Sequence, residues 1–264
     1  LHPLTDPLRI GDALVANYAQ IESVTLRFGE KVVLQNCTLE IKERAITCLI
    51  GLSGAGKSTI LRLLNGLRMP DAGRVSVRGR DLRDLSQRDL VELRQKIGFS
   101  FQFAALFDSL TIGENVAMPL REHTRMSKKE IDTIVMRTLD SVGLANAYER
   151  MPSELSGGML KRAGFARAIV TNPECVLYDE PTTGLDPIIT HVLTDTIKRL
   201  RKQLDSTAVV VSHDLGSIYA MADYVAMLFE GAIIAYGTVD ELKRSPNPIV
   251  QQFLQGSEVG PIPL

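Results

Sequence analysis

Ala45-Ile46-Thr47-Cys48-Leu49-Ile50 runs uncharged into Gly51-Leu52-Ser53-Gly54-Ala55-Gly56-Lys57-Ser58. A stretch with apolar Ile60, Leu61, Leu63 and Leu64 follows. The first six residues have the continuous apolar character of a parallel strand buried on both faces. Ser58 to Leu67 carries the spacing of a helix. The residues between them spell G-x-x-x-x-G-K-[ST]. Glycines let the backbone wrap an anion with its N–H groups turned inward, and the following helix adds its positive end. Lys57 then brings an ammonium to the β- and γ-phosphates, and the Ser58 hydroxyl completes a Mg²⁺ shell. Strand, loop and helix in this order imply a bound ATP or GTP. The residues expected to hold it are Gly51, Ser53, Gly54, Ala55, Gly56, Lys57, Ser58 and Thr59.

The chain on either side repeats the strand-to-motif pattern. Upstream, Ile21 to Leu26, Lys31 to Leu34 and Cys37 to Ile41 read as short half-buried strands separated by turns, and Arg74 to Val77 joins them in an antiparallel sheet. Downstream, residues 87–97, 127–150, 155–171, 187–204 and 215–222 read as helices. Cys175 to Tyr178 is a second buried strand, ending in Asp179-Glu180. Ala208 to Val211 is a third, ending in Ser212-His213-Asp214. Tyr224 to Tyr236 reads as a hairpin turning at Glu230-Gly231. Strands alternating with helices predict an α/β fold on a parallel sheet. Ligands of such sheets bind at the carboxyl ends of the strands, so three motifs far apart in sequence are expected to meet there. Asp179 matches the acid that holds Mg²⁺ in phosphate-loop NTPases. Glu180, one residue further, is placed to polarise an attacking water. The His213 imidazole is placed to sense or orient a γ-phosphate.

Composition narrows the class. The 264 residues are 45% hydrophobic and 23% charged, which excludes a disordered or collagen-like chain. A net charge of -1 argues against a duplex-binding protein, so no nucleic acid is expected. No window approaches the run of about 18 apolar residues that a spanning helix needs. The first twenty residues do not read as a signal peptide. Cys37, Cys48 and Cys175 form no CxxC and read as buried free thiols in a reducing cytosol. No N-K-x-D guanine motif accompanies the phosphate loop, which disfavours a GTP switch.

Further motifs carry a resemblance. Leu155-Ser156-Gly157-Gly158-Met159 precedes Lys161-Arg162 and Ala166-Arg167-Ala168, and Asp179-Glu180-Pro181-Thr182-Thr183-Gly184-Leu185-Asp186-Pro187 follows. With Gln102 and His213 in order, residues 19–245 resemble the ATP-binding cassette (ABC) family. The resemblance implies a phosphate-loop ABC ATPase fold: a RecA-like parallel core, an antiparallel β subdomain and an α-helical signature subdomain at about 98–168. It divides the chain into a lead-in (1–17), a nucleotide-binding domain (18–245) and a tail (246–264) that reaches toward the other ATPase subunit. It implies ATP and Mg²⁺, with Phe28 stacked on adenine and Glu180 as catalytic base beside His213. Ser58, Gln102 and Asp179 are the implied metal ligands. Gln102 also signals to a membrane partner. Ser156, Gly157 and Gly158 would contact the γ-phosphate bound by a second copy, with Asp186 in the loop through which the two copies communicate. Leu52 and Met159 depart from the commoner Pro and Gln, at positions that supply no essential side-chain donor.

Residues Phe101 to Thr111, Glu114 to Val116, Pro119 to Thr124, the LSGGM signature and the tail from Phe253 to Pro263 look like the Mce/Mla-type lipid-trafficking ATPases. That finer resemblance implies an integral permease and an Mce-domain lipid-binding protein as partners, at the cytoplasmic face of an inner membrane. His123 is expected to be structural, near the contact with the permease. The alternatives are the ATPase of a solute importer and, further off, a non-transport cassette protein. The second lacks support, because no coiled-coil heptads separate phosphate loop and signature.

Overall fold

The computed structural model describes residues 9, 10, 13, 14 and 16–262, so the expected lead-in lies mostly outside the described residues. Two short strands, β1 (Arg9–Ile10) and β2 (Ala13–Leu14), pair with each other. An antiparallel sheet follows, built from β3 (Asn17–Phe28) and β4 (Lys31–Lys42). The chain then enters the core through β5 (Ile46–Ile50) and α1 (Lys57–Leu64). It returns to the antiparallel sheet as β6 (Ala72–Val77) and β7 (Arg80–Asp81), giving the order β4-β3-β6-β7. Next come α2 (Gln87–Gln95), β8 (Ile97–Ser100), α3 (Ile112–His123), α4 (Lys128–Ser141) and α5 (Gly157–Ile169). The chain continues through β9 (Cys175–Asp179), α6 (Pro187–Leu204), β10 (Thr207–Val211), α7 (Leu215–Met221) and the hairpin β11 (Tyr224–Phe229) and β12 (Ala232–Gly237). It ends in α8 (Val239–Lys243) and α9 (Pro248–Gln255).

The core sheet runs β12-β11-β5-β10-β9-β8, with β12 antiparallel on one edge and the rest parallel. Its central strands read as unbroken apolar runs because both faces are covered. Cys48 and Ile50, with Val176, Tyr178 and Val210, pack against the helices α3 to α6. Leu49, Leu177, Val209 and Val211 pack on the other side with Ile60 and Leu61 of α1 and with Ile21 and Leu26 of the antiparallel sheet. All three cysteines are buried and free. Burial pushes the Cys37 thiol up to about 11 and those of Cys48 and Cys175 further, so none is a nucleophile or thiolate ligand at neutral pH.

Helix starts are set locally. Ser86 with Asp89, Thr111 with Glu114, Ser127 with Glu130 and Thr238 with Glu241 each form a reciprocal capping box. Four boundaries differ from the sequence reading. Lys31 to Lys42 is one strand, because Asn36 (φ 48°) and Ser23 (φ 49°) take up irregularities of the ladder without ending it. Ile97–Ser100 is the edge strand beside β9, so the helical part begins after Ser100, not at 98. The helix expected over 127–150 stops at Ser141, with Gly143 (φ 70°) just beyond it. Residues 112–123 are a helix the sequence reading passes over: Ile112, Val116 and Leu120 have helical spacing, but Pro119 lies inside it.

The expected tail begins as α9, with Val250 fully buried. Its Gln252 side chain then grips a later residue of the same chain. Oε1 accepts from the Ile262 N–H at 2.7 Å and Nε2 donates to the Ile262 carbonyl at 3.4 Å. Among the described residues, no helix is long and apolar enough to cross a membrane.

Candidate nucleotide site

The phosphate loop leaves the carboxyl end of β5 at Gly51. A Cβ there would lie 2.1 Å from the Leu228 carbonyl oxygen, so no other residue fits. Gly56, in the left-handed region, is the N-cap of α1 and offers no side chain to the first turn. Thr59 N and Ile60 N donate to Gly56 O at 3.0 and 3.1 Å, so the orphan amides of this helix end are those that precede them. Lys57 is buried, and its Nζ donates to Gly51 O at 2.8 Å and Leu52 O at 2.9 Å. Burial pushes its ammonium below the usual lysine range, against the opposing pull of Glu180 and Asp179.

Ser58 Oγ donates to Asp179 Oδ1 at 2.8 Å, which ties the loop to the end of β9. Desolvation raises the Asp179 carboxyl above its ordinary range; the Ser58 hydrogen bond works against it. Glu180 follows in the left-handed region (φ 49°), its N–H donating to Val211 O at 3.0 Å. Its side chain is largely buried (14% exposed), whereas that of His213 is open (62%). Glu180 Oε2 accepts from Thr183 Oγ1 at 2.9 Å and lies 2.8 Å from His213 Nδ1.

One cleft of about 470 Å³ is lined by Phe28, Ser53, Gly54, Gly56, Lys57, Ser58, Thr59, Gln102, Glu180 and His213 among others; Asp179 stands behind it, reached through Ser58. Three loops at the strand ends are brought together, as open α/β sheets require. Gly51 stands behind the cleft as a carbonyl partner of Lys57. Ala55 closes the loop by donating to Leu52 O at 3.2 Å. Phe28 ends β3 with its ring half exposed and the Arg68 guanidinium 5.0 Å from its centroid.

The signature lies elsewhere. Ser156 is the N-cap of α5, its Oγ accepting from Met159 N at 3.4 Å. Gly157 lies next to Leu185, and Gly158 is pressed against Ile189, whose Cγ2 would lie 2.6 Å from an added Cβ. Asp186 caps α6, accepting from Ile188 N at 2.9 Å and Ile189 N at 3.0 Å. Signature and Asp186 loop therefore abut each other but border no part of the phosphate cleft.

Several site residues escape the sequence reading. Arg62 lines the cleft four residues after Ser58, a helical spacing that sequence could have flagged. Val33 lines it from β4. Thr183 holds Glu180, and nothing in a Pro-Thr-Thr-Gly string predicts that contact. Lys161, nearly buried in α5, donates to the backbone carbonyls of Gln102 and Glu180.

The metal set expected from sequence, Ser58, Asp179 and Gln102, consists of oxygen donors, which suits Mg²⁺. Two of the three are already joined by the Ser58–Asp179 hydrogen bond, so the residues fit the ion.

A parallel-sheet domain with a phosphate loop, an acid pair and a histidine on one edge defines a nucleoside-triphosphatase cassette. The family profile described as ABC transporter matches residues 34–183. The chain is 42% identical over 246 residues to the intermembrane phospholipid transport system ATP-binding protein MlaF of Haemophilus influenzae, with 93% of each covered. It is 40% identical over 243 residues to the probable ribonucleotide transport ATP-binding protein mkl of Mycobacterium leprae, covering 92% of this chain and 70% of that one. Among solved structures it is similar to a dimeric post-hydrolysis state of the ATP-binding cassette MJ0796 bound to ADP and Pi. That likeness has 32% identity and a TM-score of 0.77, over 84% of this chain and 98% of that one. The chain belongs to the ABC transporter family.

Proposed function

We propose that this chain is the ATP-hydrolysing subunit of a bacterial transporter that moves phospholipid between membranes. The observation that carries the reading is similarity to MlaF across nearly the whole of both chains. Two copies bind two ATP molecules between them and drive a separate membrane permease, with an Mce-domain protein handling the lipid. The chain sits on the cytoplasmic face of the inner membrane through that permease. The likeness to a cassette solved as a dimer with ADP and Pi supports the two-copy arrangement.

In this reading the loop amides and Lys57 hold the β- and γ-phosphates, and Phe28 stacks on the base. Ser58, Asp179 and Gln102 hold Mg²⁺, which when bound neutralises phosphate charge. Thr183 and His213 converge on Glu180 Oε2, which fixes the carboxylate. Oε1 then faces the attacking water and takes its proton. Ser156, Gly157 and Gly158 meet the γ-phosphate held by the other copy, and Asp186 lies in the loop between the two sites.

Residues 18–245 form the working cassette in this reading, and the tail after 245 contacts the second ATPase subunit. Val259, 86% exposed on the segment that the Gln252–Ile262 grip closes, is the contact we assign. Val259→Glu should weaken pairing in sedimentation by about tenfold, the scale of one interface anchor, with ATP affinity unchanged. Unchanged pairing removes that role.

The relative named for ribonucleotide transport favours a second reading, a solute importer with the same ATPase. Affinity purification from detergent-extracted membranes separates the two. A permease with an Mce-domain protein and bound phospholipid supports lipid trafficking. A permease with a soluble solute-binding protein supports the importer and overturns the lipid reading.

A further inference from the structure

The helix α5 carries three cations whose hydrogen bonds go to backbone carbonyls of other segments; Arg162 reaches Val142 and Gly143 beyond α4, and the other two reach the turn after Gln102. Arg167 donates from Nη2 to Ala104 O at 2.6 Å and from Nη1 to Ala105 O at 2.7 Å. Lys161 donates from Nζ to the carbonyls of Gln102 and Glu180. Between them in sequence, Gly164 lies so close to the loop that an added Cβ would stand 3.1 Å from the Ala104 side chain. One stretch of α5 thus holds the whole turn after Gln102.

The segments it holds are strained. Ala104 (φ 58°), Ala105 (φ 49°) and Glu180 (φ 49°) all occupy the left-handed region without being glycine. Such conformations persist only where surrounding contacts over-determine them. Arg167 supplies those contacts for the two alanines. Lys161 reaches both the Gln102 segment and the Glu180 segment, and it is only 8% exposed. It does not border the nucleotide cleft, so its effect passes through the groups it holds. A nearly buried ammonium is costly to maintain without partners, and here its partners are the main chain of the two segments that supply the expected metal ligand and the expected base.

We propose that Lys161 is a positioning residue for hydrolysis: it ties the Gln102 loop and the Glu180 backbone to the signature helix, so that the three segments move as one when the cassette closes. This rests on the ATPase reading above and deepens it. A displacement of α5, whether imposed by a permease or by a second copy, reaches Glu180 through one side chain.

The test is steady-state ATP hydrolysis by the full chain in its assembled transporter, with ATP affinity measured separately by a fluorescent ATP analogue. Lys161→Met should lower kcat by about thirtyfold while KM and analogue binding stay within about twofold, the scale of lost hydrogen bonds from a charged donor. Lys161→Arg keeps the charge and the donors and should retain most of the wild-type kcat. Lys161→Gln, neutral and hydrogen-bonding, should fall between them. A Lys161→Met rate equal to wild type overturns the proposal. So does a parallel loss of binding and turnover that Lys161→Arg fails to restore, because that pattern marks a purely structural cation. If Lys161→Met does not fold, the Gln and Arg variants decide, and equal kcat values for the two overturn it. A wild-type assembly that binds ATP but never hydrolyses it removes the ATPase reading itself, a result separate from any of these.

Discussion

Two helix N-termini in this protein are assigned to phosphates in the proposed reading, and they are built differently. The helix α1 starts from a left-handed glycine with no side-chain cap, and a buried lysine stands in its first turn beside Asp179 and Glu180. The helix α5 starts from Ser156, whose hydroxyl already caps Met159 N, with Gly157 exposed. Its own cations, Lys161, Arg162 and Arg167, are committed to backbone carbonyls. The first end holds amides, counter-charge and acid pair within one chain. The second holds amides and a hydroxyl, with no free cation in its first turn. An end of that kind suits a phosphate whose charge is already met elsewhere, which is how a partner's nucleotide would arrive in the proposed dimer. In the proposed dimer the difference would separate a site that binds alone from one that completes a bound pair.

Three substitutions test this separation at its strong end. Glu180→Gln removes the base from the first site and leaves its charges for phosphate intact. Phosphate release should fall by about 10³-fold, the middle of the range for a lost general base. ATP binding should survive, and a closed pair should accumulate in gel filtration with ATP; normal turnover refutes the base assignment. Lys57→Ala strikes the counter-charge that only α1 possesses. ATP affinity should fall by about 100-fold in a nucleotide-binding titration, the upper range for hydrogen bonds from a charged donor. Wild-type affinity in that variant would remove the phosphate-loop role. Gly157→Asp places a carboxylate at the second helix end. Its Cβ meets only ordinary contact, Leu185 Cδ2 at 3.5 Å, and an acid in a first turn favours the helix, so the fold should hold. ATP affinity of the single chain should stay within about twofold, while ATP-driven pairing weakens by about tenfold or more through like-charge repulsion. If Gly157→Asp cost as much single-chain affinity as Lys57→Ala, the contrast between the two ends would collapse.

The sequence exposes the first end far better than the second. Gly51 to Ser58 can be read in isolation because its chemistry is local: loop, lysine and hydroxyl lie within eight consecutive residues. The same holds for α6, read at residues 187–204 and found there, with Asp186 as its cap. The strand Ile97–Ser100 is hidden because it is short, contains Gly98 and abuts the end of a helix. The helix α3 is hidden by Pro119, although the reciprocal cap between Thr111 and Glu114 fixes its start. Least legible is the grip of α5 on the Gln102 turn. Its acceptors are main-chain carbonyls that every residue possesses, and only left-handed alanines turned toward the helix make them available. Side-chain motifs announce themselves in sequence; a site's backbone scaffolding does not.

The smallest effect is expected at the base. Phe28 ends β3 with its ring 45% exposed, at the mouth of the same cleft as Lys57. The Arg68 guanidinium stands over the ring, 5.0 Å from its centroid. Phe28→Ala should lower ATP affinity by about tenfold, the lower range for loss of one base–aromatic stack. Binding of inorganic triphosphate, which has no base, should not change. That pairing of ligands makes the measurement decisive. If both ligands weaken together, Phe28 supports the phosphate loop through the neighbouring hairpin, and the base is held by something else. If only ATP weakens, the cleft divides into a charged half that supplies most of the affinity and an aromatic rim that contributes a smaller share.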